Sequence, residues 1–149
     1  MMTSKKEIVQ TLVRGIRQDI ESYKQLKSLL KRQRELMQRR DNAGLQYHND
    51  HQTCLCDELM IKAKKRSDSL QQLGFSGDAK GMERLISKLP KQSGIQVSLL
   101  WDNLLAVVRE SQQANEANGN LLVSQQTVIN SLLNSGSDTV TDYGEKRGI

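Results

Sequence analysis

The chain has 149 residues, of which 36% are hydrophobic and 3% aromatic, so it is long enough for one domain but lean for a compact globule. Its net charge of +5 is uneven, because residues 1–66 hold 15 Lys/Arg against 8 Asp/Glu while residues 67–149 hold 7 against 9. No apolar run reaches the roughly 20 residues of a membrane helix. The first residues lack a signal-peptide core, and the two cysteines make no disulfide framework. We therefore expect a cytoplasmic protein that does not insert into a membrane.

A long helix is predicted at the start of the chain. Thr3 or Ser4 is expected to cap it, and Glu7 lies three residues after Ser4, the spacing of a capping box. Apolar residues then recur every three or four positions: Ile8, Leu12, Ile16, Ile20, Tyr23, Leu26, Leu30 and Met37. This period predicts one helix over about residues 4–40.

The second pattern predicts a helix over about residues 43–73 that is less apolar than the first. Its apolar members are Leu45, Leu55, Leu59, Ala63, Leu70 and Leu73. The same stripe also carries His48, Gln52 and Arg66, so it completes a seam between helices but does not centre a thick core. A short helix is then expected over about residues 79–89, capped by Asp78 and stopped by Pro90, where it closes one end of the bundle.

The third long helix, over about residues 94–134, carries the most informative pattern. Its apolar stripe continues geometrically through the polar stretch 111–120 and then resumes. Gly119 inside a helix costs up to about 1 kcal/mol relative to Ala, which predicts a weak joint. The apolar sector beyond it is either the chain's own core or a detachable surface for a partner's helix. The candidate partner-binding residues are Asn115, Asn118, Gly119, Leu121, Leu122, Gln125, Val128, Ile129, Leu132 and Leu133.

Together these patterns predict an all-α, elongated fold. An antiparallel helical hairpin or coiled coil is expected, with the third long helix packed along it and a short connecting helix. Residues 1–134 are expected to form a single helical bundle domain. Residues 135–149 are rich in Ser, Gly, Asp and Thr without a period, which predicts a flexible tail when unbound.

Four potential metal ligands, His48, His51, Cys54 and Cys56, lie within nine residues. On a helix their side chains point in different directions around the axis, and no second ligand pair exists elsewhere. We therefore expect no metal site and no cofactor. Because no catalytic motif is present, we also expect no enzymatic activity.

The basic first half allows a nucleic-acid-binding alternative. Against it, the Lys/Arg residues alternate with Asp/Glu along helical patterns, and no aromatic residues are placed to stack on bases. The basic runs at 31–40 and 62–66 fit helix ends and exposed faces. We expect no nucleic-acid partner, while a basic nucleic-acid binder and a structural coiled-coil scaffold stay as alternatives.

Several short motifs occur in a fixed order along the second half of the chain. They are Arg66, Leu70, Leu73 and Gly74, then Met82 and Leu85, then Trp101 and Leu104, then Asn115-Glu116-Ala117-Asn118-Gly119 with Leu121 and Leu122, then Tyr143-Gly144 and Gly148. This order resembles the FlgN family, the type III export chaperones for flagellar hook-filament junction proteins. The most telling match is to the family's Asn-x-x-Asn-Gly signature. Residues 1–65 match only as a helical hairpin of suitable length, and four residues separate Tyr143 from Gly148 where the family commonly has three.

The resemblance implies a cytoplasmic, non-catalytic chaperone. It would bind the C-terminal amphipathic helices of FlgK-like and FlgL-like junction proteins, keep them soluble and deliver them to the flagellar export gate and its ATPase complex. The resemblance also implies that Tyr143 and Gly144 dock on that gate, and the protein is expected to be a monomer or a weak homodimer. The Asn118-Gly119 joint and the Tyr143 motif favour this function over a permanent scaffold, which needs neither.

Overall fold

The computed structural model describes the backbone of residues 4–133 and the side chains of residues 4–119. This part of the chain contains four helices and no strand: α1 (Lys5–Arg39), α2 (Asn42–Gln72), α3 (Ala79–Lys88) and α4 (Lys91–Leu133). The predicted all-α fold is confirmed. None of these helices is apolar over a length sufficient to cross a membrane. The predicted flexible tail, residues 135–149, lies outside the described residues.

Helices α1 and α2 form the antiparallel hairpin, and local capping sets their ends. Ser4 accepts a hydrogen bond from the Glu7 amide at the start of α1, as the capping-box spacing predicts. At the other end Arg40 takes a left-handed conformation with φ 58°, and Asp41 then caps α2 by accepting from the Gly44 amide. The chain therefore reverses within two residues.

Helix α1 is the central element of the bundle. It packs against α2 on one side and α4 on the other. Arg66 of α2 bonds to Asp19, whereas His48 of the same helix bonds to the Leu29 carbonyl further along α1, so α2 runs antiparallel to α1. Helix α4 runs parallel to α1. A 35-residue α1 gives the bundle a length of about 52 Å.

Buried apolar residues form two clusters at different heights along α1. The larger, called here the Trp101 core, takes residues from all four helices: Leu12, Ile16, Ile20, Leu70, Met82, Leu85, Val97, Trp101 and Leu104. The smaller, called here the Leu30 core, comes from α1 and α2 alone: Leu26, Leu30, Leu55 and Leu59. Because four buried residues replace nine, apolar packing is thinner toward the α1–α2 turn.

Helix α3 closes the end of the bundle that holds the Trp101 core. Asp78 caps it by accepting a 3.0 Å hydrogen bond from the Gly81 amide. A Cβ on Gly81 would lie 1.7 Å from the Ser76 carbonyl oxygen, so only glycine fits there. Pro90 ends α3, and its carbonyl accepts a bond from the Gly94 amide, so α4 begins at Lys91, three residues before the predicted start.

Candidate functional site

The polar stretch of α4 faces α1, and its first buried member is Ser111. The Ser111 hydroxyl bonds to the Val107 carbonyl of its own helix at 2.9 Å and lies 3.5 Å from the Tyr23 carbonyl of α1. The neighbouring contact at this height is an ion pair of 2.7 Å between Lys27 and Glu110, which is half exposed and therefore contributes at most about 1 kcal/mol. Polar contacts thus replace apolar ones two turns after Leu104.

Asn118 makes the most buried hydrogen bond between α4 and the hairpin. Its side chain is 5% exposed, and its amide nitrogen donates to the Leu30 carbonyl at 2.8 Å and to the Gln33 side-chain oxygen at 3.0 Å. Gln33 in turn donates to Asn49 of α2 at 2.9 Å. The three helices are therefore joined here by a hydrogen-bonded amide network, in which each lost partner would leave a buried polar atom unsatisfied.

The candidate partner-binding residues fall into three groups. Asn115 is exposed, whereas Asn118 is buried and already bonded to α1, so Asn118 positions the helix and offers little free surface. Gly119 is half-buried, and no described atom lies within 4 Å of a Cβ built there. The backbone of residues 121–133 continues α4 without a break. Their side chains, like Tyr143 and Gly144 of the predicted gate-docking motif, lie outside the described residues.

Helix α4 therefore passes straight through the predicted weak joint. Its 43 residues include the stretch 111–120, in accordance with the geometric continuity of the stripe. Glycine at position 119 is not required by space or by a positive φ, since its surroundings would admit a Cβ. The remaining physical effect of Gly119 is to lower the intrinsic helix propensity of this turn.

The first half of α4 is anchored by three side chains that contact one another: Trp101, Arg66 and Asp19. The Arg66 guanidinium lies 5.6 Å from the centre of the Trp101 ring and donates to the Asp19 carboxylate at 2.7 Å. Side chains of α1, α2 and α4 meet in this stack, which combines an ion pair with a cation–π contact. Sequence reasoning missed Asp19 as a partner. The sequence does carry a signal for this contact. Asp19 is an acidic residue three positions after Ile16 on the buried stripe of the first helix, and Arg66 lies on the stripe of the second helix.

Asp19 is 3% exposed, so its environment determines its ionisation. Burial raises the pKa of its carboxyl above the ordinary value, and the positive charges of Arg66 and Lys62 oppose that rise without cancelling it. The second Asp19 oxygen and the Trp101 indole nitrogen have no hydrogen-bond partner among the described residues. This ion pair therefore specifies how the helices pack more than it stabilises them.

The four potential metal ligands occupy separate positions on α2. His48 is buried and its Nε2 donates to the Leu29 carbonyl at 2.7 Å, whereas the His51 ring stacks on exposed Tyr47. Cys54 is exposed, and Cys56 packs beside the Leu30 core. Within residues 4–119 no three side chains of the ligating types lie close enough to hold a metal ion. The hydrogen bond to α1 accounts for a buried histidine at position 48.

A protein-family model described as FlgN protein matches residues 1–147. The chain belongs to the FlgN family. The resemblance drawn from the ordered motifs is thus confirmed.

A solved structure agrees with this membership. The crystal structure of a putative flagella synthesis protein FlgN from Pseudomonas aeruginosa matches with a TM-score of 0.68 and 27% sequence identity. The match covers 90% of this chain and 98% of that chain, so it extends beyond the shared motifs to the whole FlgN-type bundle. No curated protein matches the chain.

Proposed function

We propose that this FlgN-family protein is a cytoplasmic, non-catalytic export chaperone for flagellar hook-filament junction proteins. Its partners are the C-terminal amphipathic helices of FlgK-like and FlgL-like subunits. It keeps these subunits soluble and delivers them to the flagellar type III export gate and its ATPase complex. Family membership and the similarity to a flagella synthesis protein support a flagellar role.

The way α4 is held carries this proposal. Buried apolar residues fix α4 as far as Val107, and beyond it the helix is held mainly by the hydrogen bonds of Asn118 to α1, with half-buried Ala114 beside the Leu30 core. A second apolar stretch of the helix, the C-terminal sector of residues 121–133, follows Asn118. A helix that is held firmly in its first half and is apolar after Asn118 is suited to pair with another amphipathic helix.

The expected energies permit both capture and release. Five to seven apolar residues of the C-terminal sector would contribute about 8–20 kcal/mol in gross burial. Ordering a disordered partner segment removes about 2–5 kcal/mol or more of this, and association itself costs a further 4–15 kcal/mol or so. Only burial toward the upper end of this range leaves a net gain after these costs, so the affinity is limited and a captured subunit stays releasable.

A double substitution in the C-terminal sector tests the proposal. Val128→Asp with Leu132→Asp puts two charges into the surface that must lose water on binding, so a peptide from an FlgK-like C-terminus should no longer bind in calorimetry. Thr127→Asp with Asn130→Asp adds the same charge on the opposite side of the helix and should bind within about twofold of wild type. Equal binding by the two double variants and wild type would contradict the proposal.

Gate docking is proposed to reside in a separate place, around Tyr143 and Gly144. A lone Tyr adds a large apolar area at the cost of ordering two side-chain torsions. Tyr143→Ala should therefore leave subunit binding within about twofold, a change under roughly 0.5 kcal/mol, while export falls. Normal export of junction subunits by this variant, measured in cells that lack the wild-type chaperone, would refute the assignment.

A further inference from the structure

An open groove of about 680 Å³ lies at the end of the bundle opposite the α1–α2 turn. The first half of α1 forms one wall, and the junction of α3 with α4 forms the other. This N-terminal groove has an apolar floor made by Val9, Val13, Leu89, Val97 and Leu100. Along α4 the groove lies near the first residues of the helix, whereas the C-terminal sector lies at its far end, past the Trp101 core. The two proposed binding surfaces therefore do not overlap.

The shape of the N-terminal groove fits a helix. Its α1 wall extends from Lys5 to Arg17, a length of about 18 Å or roughly three helical turns. Leu89 also borders a shallower groove of about 380 Å³, beside which Ile95 and Leu99 are 55% and 61% exposed. The apolar surface therefore continues around the junction of α3 with α4. A surface of this extent suits a helix better than a small molecule.

The charges around the N-terminal groove have one sign. Lys5, Lys6, Arg14 and Arg17 line it, and no Asp or Glu does. Within residues 4–119 none of these four forms a salt bridge, so no ion pair inside the bundle neutralises them. The groove thus combines an apolar floor with four cations that have no carboxylate partner in the described part of the chain.

We propose that the N-terminal groove binds an acidic amphipathic α-helix of another protein. Apolar residues on one face of that helix lie on the Val9 and Val97 floor, and its Asp or Glu residues pair with Arg14, Arg17 and the two lysines. The charge complementarity selects the partner and the apolar floor supplies most of the affinity. This interaction is independent of the proposed subunit-binding sector, so one chaperone would hold two helical partners at once.

Two other possible occupants of the groove, a second copy of this chain and this chain's own residues after Leu133, fit it less well. A second copy of this chain carries a net charge of +5, and even its more acidic part, residues 67–149, holds only 9 Asp/Glu against 7 Lys/Arg, so it offers no strongly acidic helix to the basic rim. The chain's own last 16 residues begin after Leu133, about 50 Å along α4 from Leu100. Fully extended, 16 residues span at most about 58 Å, which leaves too little chain to form a helix in the groove.

The test uses a fluorescein-labelled, 18-residue synthetic peptide with Leu at helical spacing and Glu on the flanks. Full-length protein with Val128→Asp and Leu132→Asp is titrated in fluorescence anisotropy, so that the C-terminal sector cannot contribute. The acidic peptide should bind with a micromolar Kd that weakens as salt is added. A peptide with Lys in place of every Glu, and one with the same residues in shuffled order, should bind at least tenfold more weakly.

Substitutions around the groove locate the interaction. Arg14→Glu with Arg17→Glu should raise the Kd at least tenfold, equal to about 1.4 kcal/mol. Lys64→Glu with Lys65→Glu makes the same charge change on an exposed part of α2 and should keep the Kd within twofold. Gln96→Trp, at an exposed lining position, should block the groove by filling it without touching the core. Circular dichroism confirms that each variant folds.

Three results would overturn the proposal. One is that the acidic peptide binds no better than the two control peptides. Another is equal weakening by the groove substitutions and by the α2 control pair. The third is that vesicles containing phosphatidylglycerol bind through Arg14 and Arg17 while the peptide does not, which would make the groove a membrane-surface site. Failure of the proposed chaperone function would leave all three measurements unchanged, because the C-terminal sector is already disabled.

Discussion

Around Trp101, α4 is fixed by buried apolar residues drawn from all four helices, whereas around Asn118 it is fixed by one amide side chain and by half-buried Ala114. The first region gains from the area removed from water, which depends little on direction. The second depends on two hydrogen bonds, whose net contribution is about 1 kcal/mol each. The comparison indicates a helix whose first half is held by a core and whose described contacts around Asn118 are few, as the proposed exchange of partners would require.

The largest expected effect is on the Trp101 core. Leu104→Ala removes a side chain that is 2% exposed and should lower the free energy of unfolding by about 2–5 kcal/mol, because the cavity cannot fully collapse. Urea denaturation followed by circular dichroism measures this loss. Ala106→Ser on the exposed side of the same helix is the control and should change stability by less than about 0.5 kcal/mol. A loss below about 1 kcal/mol for Leu104→Ala would remove the contrast between the two regions.

A smaller loss is expected at the polar tie. Asn118→Ala removes the donor to the Leu30 carbonyl and to Gln33, which should cost about 1–3 kcal/mol. Hydrogen exchange should accelerate in α4 around residue 118 and stay slow around Trp101, since the variant frees only the far half. Asn115→Ala, at the exposed asparagine of the same motif, should leave both regions unchanged. Uniform acceleration along α4 would mean that the helix is held as one unit.

The weak joint predicts a gain of stability. Gly119→Ala should raise helix stability by up to about 1 kcal/mol, because a Cβ fits at this position and Ala favours the helix. If the joint assists the exchange of partners, the stiffened variant should release a bound FlgK-like peptide at a different rate while its fold is unchanged. Stopped-flow fluorescence measures that rate. An identical release rate would limit Gly119 to a structural role.

The smallest effect concerns Asp19. Since burial raises the pKa of its carboxyl in the folded state, the folded protein binds the proton more tightly than the unfolded chain. The contribution of Asp19 to the free energy of unfolding is largest below the ordinary pKa of 3.8, and it decreases as the pH rises through the raised pKa. Asp19→Asn should abolish this decrease and change stability at pH 7 by less than about 1 kcal/mol, because the positive charges of Arg66 and Lys62 offset most, but not all, of what the carboxylate loses in desolvation. Urea denaturation of both proteins between pH 4 and 7 measures it. A loss above about 2 kcal/mol at pH 7 would show a net stabilising ion pair.

Helical periodicity was sufficient to predict the all-α fold. Leu12, Ile16 and Leu30 recur at helical spacing and are all buried, because a long amphipathic helix leaves few ways to hide its apolar stripe. The cap at Ser4 and the stop at Pro90 followed from local chemistry. The contact of Arg66 with Asp19 and Trp101 joins residues far apart in sequence, and no local pattern encodes which positions on two stripes will meet.

The candidate site was predicted only in outline. The motif around Asn118 is visible as a sequence signature, but its geometry is not, because nothing local in the sequence shows that the Asn118 side chain bonds to the Leu30 carbonyl of α1. The N-terminal groove was missed because its walls come from residues 5–17 and 89–100, whose apolar members looked like ordinary core positions. Which of them stay open depends on how α3 turns into α4.

Hydrogen exchange of the full-length protein, with and without the C-terminal peptide of an FlgK-like subunit, tests the central claim most directly. Amides of residues 119–133 should exchange faster than those around Trp101 in the free protein, and binding should slow them by at least tenfold. The Trp101 core should exchange equally slowly in both samples. Protection that appears around Trp101 or in α2 while residues 119–133 stay unchanged would contradict the account.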